Sequence, residues 1–233
     1  NPELLIARQR GCKIYKYAQM LGMLMAAYDG IAISGTHGKS TTTGWLVYLL
    51  NAAGIDPSFI MGADALQLGS SSSVGSGNYF IAEACEFDRS FLNLNPDIAC
   101  ITNIEADHLD YYRDLDEIIE AFTQFANGTK STVIANADDK NVAKLLDNIA
   151  PTKKIITFAI DTPATYNAAN LKLIKGLYHF DVLQNDTLIG QCAISQPGKH
   201  NVYNALTVIA AAIEAGLDPQ KTIKAIPKFT GTD

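Results

Sequence analysis

The residues best suited to chemistry form one short stretch, Gly35-Thr36-His37-Gly38-Lys39-Ser40-Thr41. Its two glycines have no side chains, so the backbone can turn tightly and bring its N–H groups close to an anion. Lys39 adds a positive charge that can reach the β- and γ-phosphates of a nucleotide, and the Ser40 hydroxyl can ligate Mg²⁺. The stretch is therefore predicted to bind phosphate, and we call it the phosphate loop.

The match to the usual pattern of such loops is incomplete. The pattern G-x-x-x-x-G-K-[ST] would place glycine at position 33, where this chain has Ile33. The alternative is a plain glycine turn between a strand and a helix, with Lys39 in solvent. An apolar, β-branched run at 30–34 precedes the turn, and helical spacing of apolar residues follows it. The order of strand, turn and helix favours nucleotide binding.

Two acidic clusters are predicted at the ends of further strands. Residues 83–88 come directly after an apolar run at 79–82, and residues 103–110 come directly after another at 98–101. In an open parallel sheet, ligands bind beyond the carboxyl ends of the strands. If these two strands flank the strand that leads into the phosphate loop, both clusters face the γ-phosphate.

Three side chains are candidate cation ligands, namely Ser40, Glu83 and His108. Mg²⁺ prefers few protein ligands, usually carboxylate or hydroxyl oxygens, and Ser40 with Glu83 meets that preference. His108 is a candidate for a second cation, although imidazole is a less usual partner for Mg²⁺. The alternatives are a solvated loop carboxylate and a structural histidine. The shared position at strand ends beside a phosphate loop favours a functional role.

A third polar cluster, Gly198-Lys199-His200-Asn201-Val202-Tyr203-Asn204, opens a predicted helix. Asn201 and Asn204 are three residues apart, so their amides share one face of that helix. A side-chain amide offers both a donor and an acceptor, which suits it to reading a nucleotide base. The simpler alternative is that Asn201 caps the helix.

The elements that must position these residues alternate between strands and helices from residue 30 onward. Short apolar runs predict strands at 30–34, 58–61, 79–82, 98–101, 132–135 and 155–160. Helical spacing and caps predict helices at 40–54, 115–126, 142–146, 201–215 and 218–226. This alternation predicts an α/β fold with a mainly parallel sheet and helices on both faces.

The pattern changes at about 165–195, where a small antiparallel β subdomain or meander is predicted. Its strands are expected at 171–174, 178–183 and 187–194, with turns at Lys175-Gly176 and Asn185-Asp186. The polar stretch at 69–78 is open to two interpretations, a linker or a substrate-facing loop.

The composition is that of an ordinary globular chain, with 233 residues, of which 48% are hydrophobic and 18% charged. The net charge of −6 argues against a nucleic-acid binder with a broad basic surface. The apolar runs fall short of the roughly 18 residues of a membrane span, so no membrane contact is expected. Reduced thiols in a cytoplasmic protein are predicted for the four widely spaced cysteines, Cys12, Cys85, Cys100 and Cys192.

Four stretches together resemble the central domain of the Mur ligases, enzymes that build the peptide stem of bacterial cell-wall precursors. They are G-T-H-G-K-S-T-T from Gly35, E-A-C-E-F-D-R-S-F from Glu83, T-N-I-E-A-D-H-L-D-Y-Y from Thr102 and G-K-H-N-V-Y-N-A from Gly198. The resemblance extends from about residue 30 onward, and the motifs come in the family's order.

The resemblance implies an ATP-dependent amide-bond ligase that uses Mg²⁺ and an acyl-phosphate intermediate, with UDP-N-acetylmuramate and L-alanine as small-molecule substrates. It implies that Gly35 to Thr41 hold the ATP phosphates and that Lys39 neutralises their charge. The other implied roles are Mg²⁺ binding by Ser40 and Glu83, a second metal at His108, and base contacts by Asn201 and Asn204.

The resemblance also implies a division of the chain. Residues 1–29 are expected to be the end of a preceding UDP-binding domain with a connecting helix, and residues 30–233 the central ATP-binding domain. Because an arginine-containing segment and an amino-acid-binding domain are expected beyond residue 233, we expect the isolated chain to bind Mg·ATP weakly and not to ligate. The alternatives are another Mur-type or folylpolyglutamate-type ligase, a nucleotide switch or small-molecule kinase, and a binding module without turnover.

Overall fold

The computed structural model describes residues 1–232, in which a ten-stranded sheet carries helices on both faces. The strands are β1 (Asp29–Ser34), β2 (Ser58–Ile60), β3 (Ser72–Ser73), β4 (Tyr79–Glu83), β5 (Ile98–Ile101), β6 (Thr132–Asn136), β7 (Lys154–Ala159), β8 (Tyr166–Ile174), β9 (Leu177–Gln184) and β10 (Thr187–Ala193). The helices are α1 (Pro2–Gln9), α2 (Tyr17–Met25), α3 (Lys39–Ala52), α4 (Leu115–Gly128), α5 (Lys140–Leu146), α6 (His200–Glu214) and α7 (Pro219–Ala225).

The strand that leads into the phosphate loop, β1, has a parallel neighbour on each side. The strand order is β10-β9-β8-β7-β6-β5-β1-β4-β2-β3. In the two registers, Ile31 of β1 faces Ile81 of β4 and Ile98 of β5. Both acidic clusters therefore begin at the carboxyl ends of strands that flank β1, which is the arrangement that the sequence analysis required.

Alternate residues of β1 face two separate hydrophobic cores. Ile31 and Ile33 pack with Trp45 of α3 and with residues of α6 and α7. Ala32 joins residues of α2 and α4 on the opposite face of the sheet. A parallel strand that is covered on both faces needs apolar side chains at every position, which explains the continuous apolar runs in the sequence.

The antiparallel strands β8, β9 and β10 continue the same sheet. Strand β8 pairs in parallel with β7, where Tyr166 faces Phe158, and antiparallel with β9. Both residues of each tight turn, Lys175-Gly176 and Asn185-Asp186, have positive φ. Positive φ at both positions is the geometry of a type I′ hairpin turn, and it confirms the turns that the sequence indicated.

The predicted strands and helices are present, with boundaries that move by a few residues. Glu83 is the last residue of β4 instead of the first residue of a loop, and the polar stretch at 69–78 contains the short strand β3. A 3₁₀ segment at Phe87–Asn93 lies within and beyond the first acidic cluster. Asp114 and Asp218 cap α4 and α7, because their side chains accept hydrogen bonds from backbone N–H groups of the first turn.

The helices differ in how much of their surface the rest of the chain covers. Helix α6 is buried over most of its length, and α2 buries Leu21 and Met25. Helix α1 buries no residue, and Leu4, Leu5 and Ile6 are each about half exposed. Within residues 1–232 we find no helix of the length and apolarity that crossing a membrane requires.

Candidate nucleotide-binding site

The phosphate loop turns between the end of β1 at Ser34 and the start of α3 at Lys39. Gly38 precedes the helix with a φ of 81°, in the left-handed region that favours glycine. A Cβ at Gly38 would lie 2.6 Å from Asn204 Oδ1. In the described chain, the N–H groups of residues 38–41 have no acceptor, so the start of α3 presents free donors.

Lys39 is held inside the loop and not in solvent. Its Nζ donates to the carbonyl oxygens of Gly35 at 2.7 Å and Thr36 at 3.2 Å, and pairs with Glu86 at 3.1 Å. Only 13% of the Lys39 side chain is exposed. This geometry rules out the alternative of a solvated Lys39.

The other positions of the loop have contacts on its outer side. Thr36 Oγ1 accepts a hydrogen bond from the N–H of Glu105 at 2.9 Å, and His37 Nε2 lies 3.5 Å from the Glu105 carboxylate. Thr41 Oγ1 lies 3.3 Å from Thr232 Oγ1. The loop is therefore supported by two segments that are distant in sequence.

Ser40 and Glu83 meet at the carboxyl end of β4. Ser40 Oγ donates to Glu83 Oε2 at 2.8 Å, and the N–H of Gly62 donates to the same oxygen at 2.8 Å. A hydroxyl and a carboxylate in contact beside a phosphate loop provide the oxygen ligands that a hard cation prefers. The structure therefore brings together this predicted pair.

Glu86 is a functional candidate that the sequence analysis did not single out. Its carboxylate is only 3% exposed and pairs with Lys39. Ligand atoms of Glu86, Asp107 and His108 all lie within 4.8 Å of one another. The only sequence signal was the place of Glu86 three residues after Glu83, and the path of the chain beyond β4 decides where the side chain points.

The contacts of His108 are with this second group. Its Nε2 lies 4.0 Å from Glu86 Oε1 and 4.0 Å from Asp107 Oδ2. The three predicted cation ligands thus fall into two groups, Ser40 with Glu83, and His108 with two further carboxylates.

Tyr112 is a buried residue that fixes the backbone of Glu86. Its hydroxyl donates to the carbonyl oxygen of Glu86. Burial raises the pKa of Tyr112 to about 12, and this outweighs the lowering effect of Arg89. The hydroxyl therefore remains a donor throughout the neutral range.

A cleft of about 590 Å³ opens beside the phosphate loop. His37 and Gly38 line it from the loop, Tyr203 and Asn204 line it from α6, and Asp138 lines it beyond the end of β6. The cleft is thus bounded by the elements to which the sequence assigned phosphate and base contacts.

Asn201 and Asn204 are both buried and form a pair. Asn204 Nδ2 donates to Asn201 Oδ1 at 2.9 Å, and Asn201 Nδ2 donates to the carbonyl oxygen of Pro197 at 2.8 Å. The cap position of α6 is Lys199, so the alternative that Asn201 caps the helix is wrong. The pairing fixes the orientation of Asn204, which lies against Gly38.

Asp138 organises the far wall of the cleft, and the sequence analysis did not single it out. Its carboxylate accepts hydrogen bonds from the N–H groups of Ile160 and Asp161, from the Tyr203 hydroxyl and from Thr162. Partial burial alone would raise the pKa of Asp138, but these bonds outweigh it and hold the pKa below its usual range. The wall therefore carries a negative charge at neutral pH.

Comparison with known protein families gives one match over most of the chain. A family model described as Mur ligase middle domain matches residues 33–212. The match includes the phosphate loop, both acidic clusters and the asparagine pair.

Curated proteins that share one name are similar to this chain over its whole length. The chain is 41% identical over 238 residues to UDP-N-acetylmuramate--L-alanine ligase of Caldicellulosiruptor saccharolyticus, a match that covers 99% of this chain and 51% of that protein. It is 40% identical over 233 residues to the equally named protein of Syntrophotalea carbinolica, covering 99% and 50%. The chain therefore spans about half the length of the curated relatives that it matches.

Solved structures share the fold. One is the UDP-N-acetylmuramate:L-alanyl-gamma-D-glutamyl-meso-diaminopimelate ligase of Neisseria meningitides, with a TM-score of 0.87 at 26% identity over 99% of this chain and 75% of that one. Another is the UDP-N-acetylmuramate-alanine ligase MurC of Thermotoga maritima, with a TM-score of 0.82 at 25% identity over 100% and 52%. These likenesses confirm the predicted α/β class.

Proposed function

The chain belongs to the Mur ligase family, as its middle domain, and from this membership we propose that it is the ATP-binding portion of an L-alanine ligase. The whole enzyme would join L-alanine to UDP-N-acetylmuramate in the synthesis of peptidoglycan precursors. The observation that carries the proposal is Lys39, held inside the phosphate loop by its pair with Glu86, next to Ser40 in contact with Glu83. The identity to curated L-alanine ligases supports the choice of substrates.

The residues of the loop fit the phosphates of ATP. The free N–H groups of residues 38–41 and the charge of Lys39 would bind phosphate oxygens at the start of α3. The cleft beside the loop would hold the base, with the amide of Asn204 on its wall and Asn201 fixing the orientation of that amide. We propose these roles on the strength of the free donors and the paired, buried amides.

The two groups of oxygen and nitrogen ligands fit two cations. Ser40 with Glu83 would hold one Mg²⁺, and His108 with Glu86 and Asp107 would hold a second cation. Bound Mg²⁺ neutralises charge on the phosphate oxygens and so lowers the repulsion that an attacking carboxylate meets. Both groups lie at the ends of strands next to β1, on the side of the phosphate loop.

Lys39 and Glu86 would change partners when the site fills. In the structure Glu86 neutralises Lys39 at 3.1 Å. Exchange of this contact for a cation would leave Lys39 Nζ free to neutralise charge on the transferred phosphoryl group. A buried carboxylate would then have a cation as its partner in both states, which avoids an unpaired buried charge.

The proposed reaction has two steps. An oxygen of the UDP-N-acetylmuramate carboxylate bonds to the γ-phosphorus as the bond to ADP breaks, which gives an acyl phosphate. The amine nitrogen of L-alanine then bonds to the acyl carbon, and inorganic phosphate leaves. This chain would supply phosphate positioning and charge neutralisation for the first step.

We also propose that other parts of a longer polypeptide position UDP-N-acetylmuramate and L-alanine. The apolar side chains of α1 are about half exposed, which fits an origin of residues 1–29 in the end of a UDP-binding domain. The substrates are intracellular metabolites by their chemistry, and we therefore place the reaction in the cytoplasm. Holding the reactants in place can lower the activation barrier by ~7–11 kcal/mol. Without the parts that position the other two substrates, the isolated chain should bind Mg·ATP but catalyse negligible ligation.

The test combines binding by this chain with turnover by the full-length gene product. Calorimetry should detect weak Mg·ATP binding by residues 1–233. The full-length product should release ADP only when UDP-N-acetylmuramate and L-alanine are both present. ADP release with another amino acid or with a folate would indicate a related ligase, and a phosphorylated product without any amine would indicate a kinase. Absence of Mg·ATP binding in both proteins would contradict the proposal.

A further inference from the structure

The loop that follows β5 is joined to the phosphate loop through the peptide of His37. Asn103 Oδ1 accepts from the His37 N–H at 2.8 Å, and Asn103 Nδ2 donates to the His37 carbonyl oxygen at 2.9 Å. The Asn103 carbonyl accepts from the Thr36 N–H at 3.1 Å. Asn103 alone thus binds the N–H and the carbonyl oxygen of His37 and the N–H of Thr36.

Thr102 strengthens the same contact. Its Oγ1 lies 3.0 Å from the His37 carbonyl oxygen and 3.2 Å from that of Ser34, so its one O–H is shared between the two, and Thr102 is only 1% exposed. The N–H of Glu105 donates to Thr36 Oγ1 at 2.9 Å. The outer side of the phosphate loop is therefore held by hydrogen bonds from residues 102–105.

These bonds decide which backbone donors remain for a ligand. The N–H groups of Thr36 and His37 are occupied by Asn103 and point to the β5 side. The N–H groups of residues 38–41 have no acceptor in the described part of the chain and remain at the start of α3. The contact between Asn103 and His37 thus divides the backbone donors of the loop. The N–H groups of residues 36 and 37 hold the loop in place, and those of residues 38–41 are available to phosphate.

We propose that Asn103 is a positioning residue for phosphate binding, which acts by fixing the His37 peptide and thereby the free donors of residues 38–41. A side-chain amide is needed because it accepts from the N–H of His37 and donates to the carbonyl oxygen of the same residue. The loop that carries Asn103 continues to Asp107 and His108, so the same bonds set the distance between the phosphate loop and the second cation group. This role rests on the proposed function, in which that loop binds ATP phosphates.

The test compares Asn103→Ala with a matched control. Asn141 also donates from Nδ2 to a backbone carbonyl of this loop, that of Ile104, at 2.7 Å, but its side chain makes no contact with the phosphate loop in the described structure. Asn141→Ala therefore removes a similar hydrogen bond one residue further along. Each variant is measured for Mg·ATP affinity by calorimetry, for thermal unfolding without nucleotide, and for amide hydrogen exchange in residues 34–41.

We expect Asn103→Ala to raise the Kd for Mg·ATP about tenfold or more, because two hydrogen bonds that orient the loop are lost. Exchange at Thr36 and His37 should accelerate in this variant alone. In the full-length enzyme, KM for ATP should rise while KM for L-alanine stays within about twofold. Asn141→Ala should leave the Mg·ATP affinity and the amide exchange of residues 34–41 at the wild-type level. It should lower the midpoint of thermal unfolding about as much as Asn103→Ala does.

A second pair of variants isolates the hydroxyl of Thr102. Thr102→Ser keeps the donor to His37 and should bind Mg·ATP like the wild type, whereas Thr102→Val keeps the shape and should bind about threefold to tenfold more weakly. Equal affinity of Asn103→Ala and wild type would overturn the positioning role and leave the proposed function intact. Failure of both the wild-type chain and the full-length gene product to bind Mg·ATP would overturn both.

Discussion

Gly38 in the phosphate loop and Gly176 in the β8–β9 turn have almost the same φ, at 81° and 83°. Their surroundings differ. A Cβ at Gly38 would lie 2.6 Å from Asn204 Oδ1, whereas a Cβ at Gly176 would meet no described atom within 4 Å. A left-handed glycine therefore brings the loop against a buried amide in one region and only reverses the chain in the other.

Strand direction explains why polar residues that follow three different strands meet beside the phosphate loop. Strands β1, β4 and β5 are parallel neighbours, so their carboxyl ends bring the phosphate loop and both acidic clusters to one edge of the sheet. Strands β8, β9 and β10 alternate in direction, so their turns fall at opposite edges. The parallel region can thus assemble a site from distant segments, and the antiparallel region extends the sheet.

The largest expected effect is that of Lys39→Ala on nucleotide binding. We expect Mg·ATP affinity to fall about 100-fold, because a hydrogen bond to a charged group contributes up to ~3 kcal/mol. Calorimetry on the purified chain measures this loss. Unchanged affinity in a folded variant would contradict the assignment of the loop and would remove the functional difference between the two regions.

A companion variant separates binding from stability. Lys39→Ala leaves the Glu86 carboxylate buried without its partner, which can cost ~3–5 kcal/mol of unfolding free energy. The double variant Lys39→Ala with Glu86→Gln removes that charge and should recover much of the stability without recovering affinity. Recovery of affinity in the double variant would show that the single variant had lost only its fold.

Gly38→Ala should have the next largest effect. The left-handed backbone costs an alanine ~1–3 kcal/mol, and the Asn204 amide must also move. We therefore expect an unfolding free energy lower by about 2–3 kcal/mol, measured in urea, together with at least a tenfold loss of Mg·ATP affinity. A variant that loses stability but binds Mg·ATP normally would show that Gly38 serves only the turn, as Gly176 does.

Glu83→Gln should have a smaller effect, confined to conditions with metal. The substitution keeps the size of the side chain and removes its charge, so we expect affinity for Mg·ATP to fall about tenfold to thirtyfold. Affinity for ATP in the presence of EDTA should stay within about twofold. Equal losses in both conditions would mean that Glu83 is not a cation ligand.

The sequence predicts the parallel region well because its signals are local. An apolar run, a glycine turn and a helix identified β1, the phosphate loop and α3 almost to the residue. The relation of Glu83 and His108 to the loop could be predicted only on the condition that β4 and β5 flank β1, which strand pairing satisfies. Strand order is a long-range property that periodicity does not contain.

The contacts of Glu86 and Asn103 could not be predicted from spacing. The Glu86 carboxylate meets Lys39 of the neighbouring phosphate loop, and the chain then turns through Asp88 and Arg89, which have positive φ values of 52° and 51°. Asn103 binds the His37 peptide because two loops from neighbouring strands meet at their ends. In both cases a side chain contacts backbone atoms or a charged group more than 40 residues away in the sequence. Hydrophobic periodicity gives no information about such contacts.

Gly176→Ala gives the smallest expected effect and the sharpest control for Gly38→Ala. A type I′ turn requires positive φ at both central residues, so alanine at this position should lower the unfolding free energy by ~1–2 kcal/mol. Because a Cβ there meets no described neighbour, no further loss from packing is expected.

Mg·ATP affinity should stay within about twofold of wild type, since the β8–β9 turn supplies none of the residues that we place at the phosphate site. Urea unfolding and calorimetry on the two glycine variants, run side by side, measure both quantities. If Gly176→Ala weakened Mg·ATP binding as strongly as Gly38→Ala, the antiparallel strands would have to be coupled to the site, and strand direction alone would not explain where the chemistry lies.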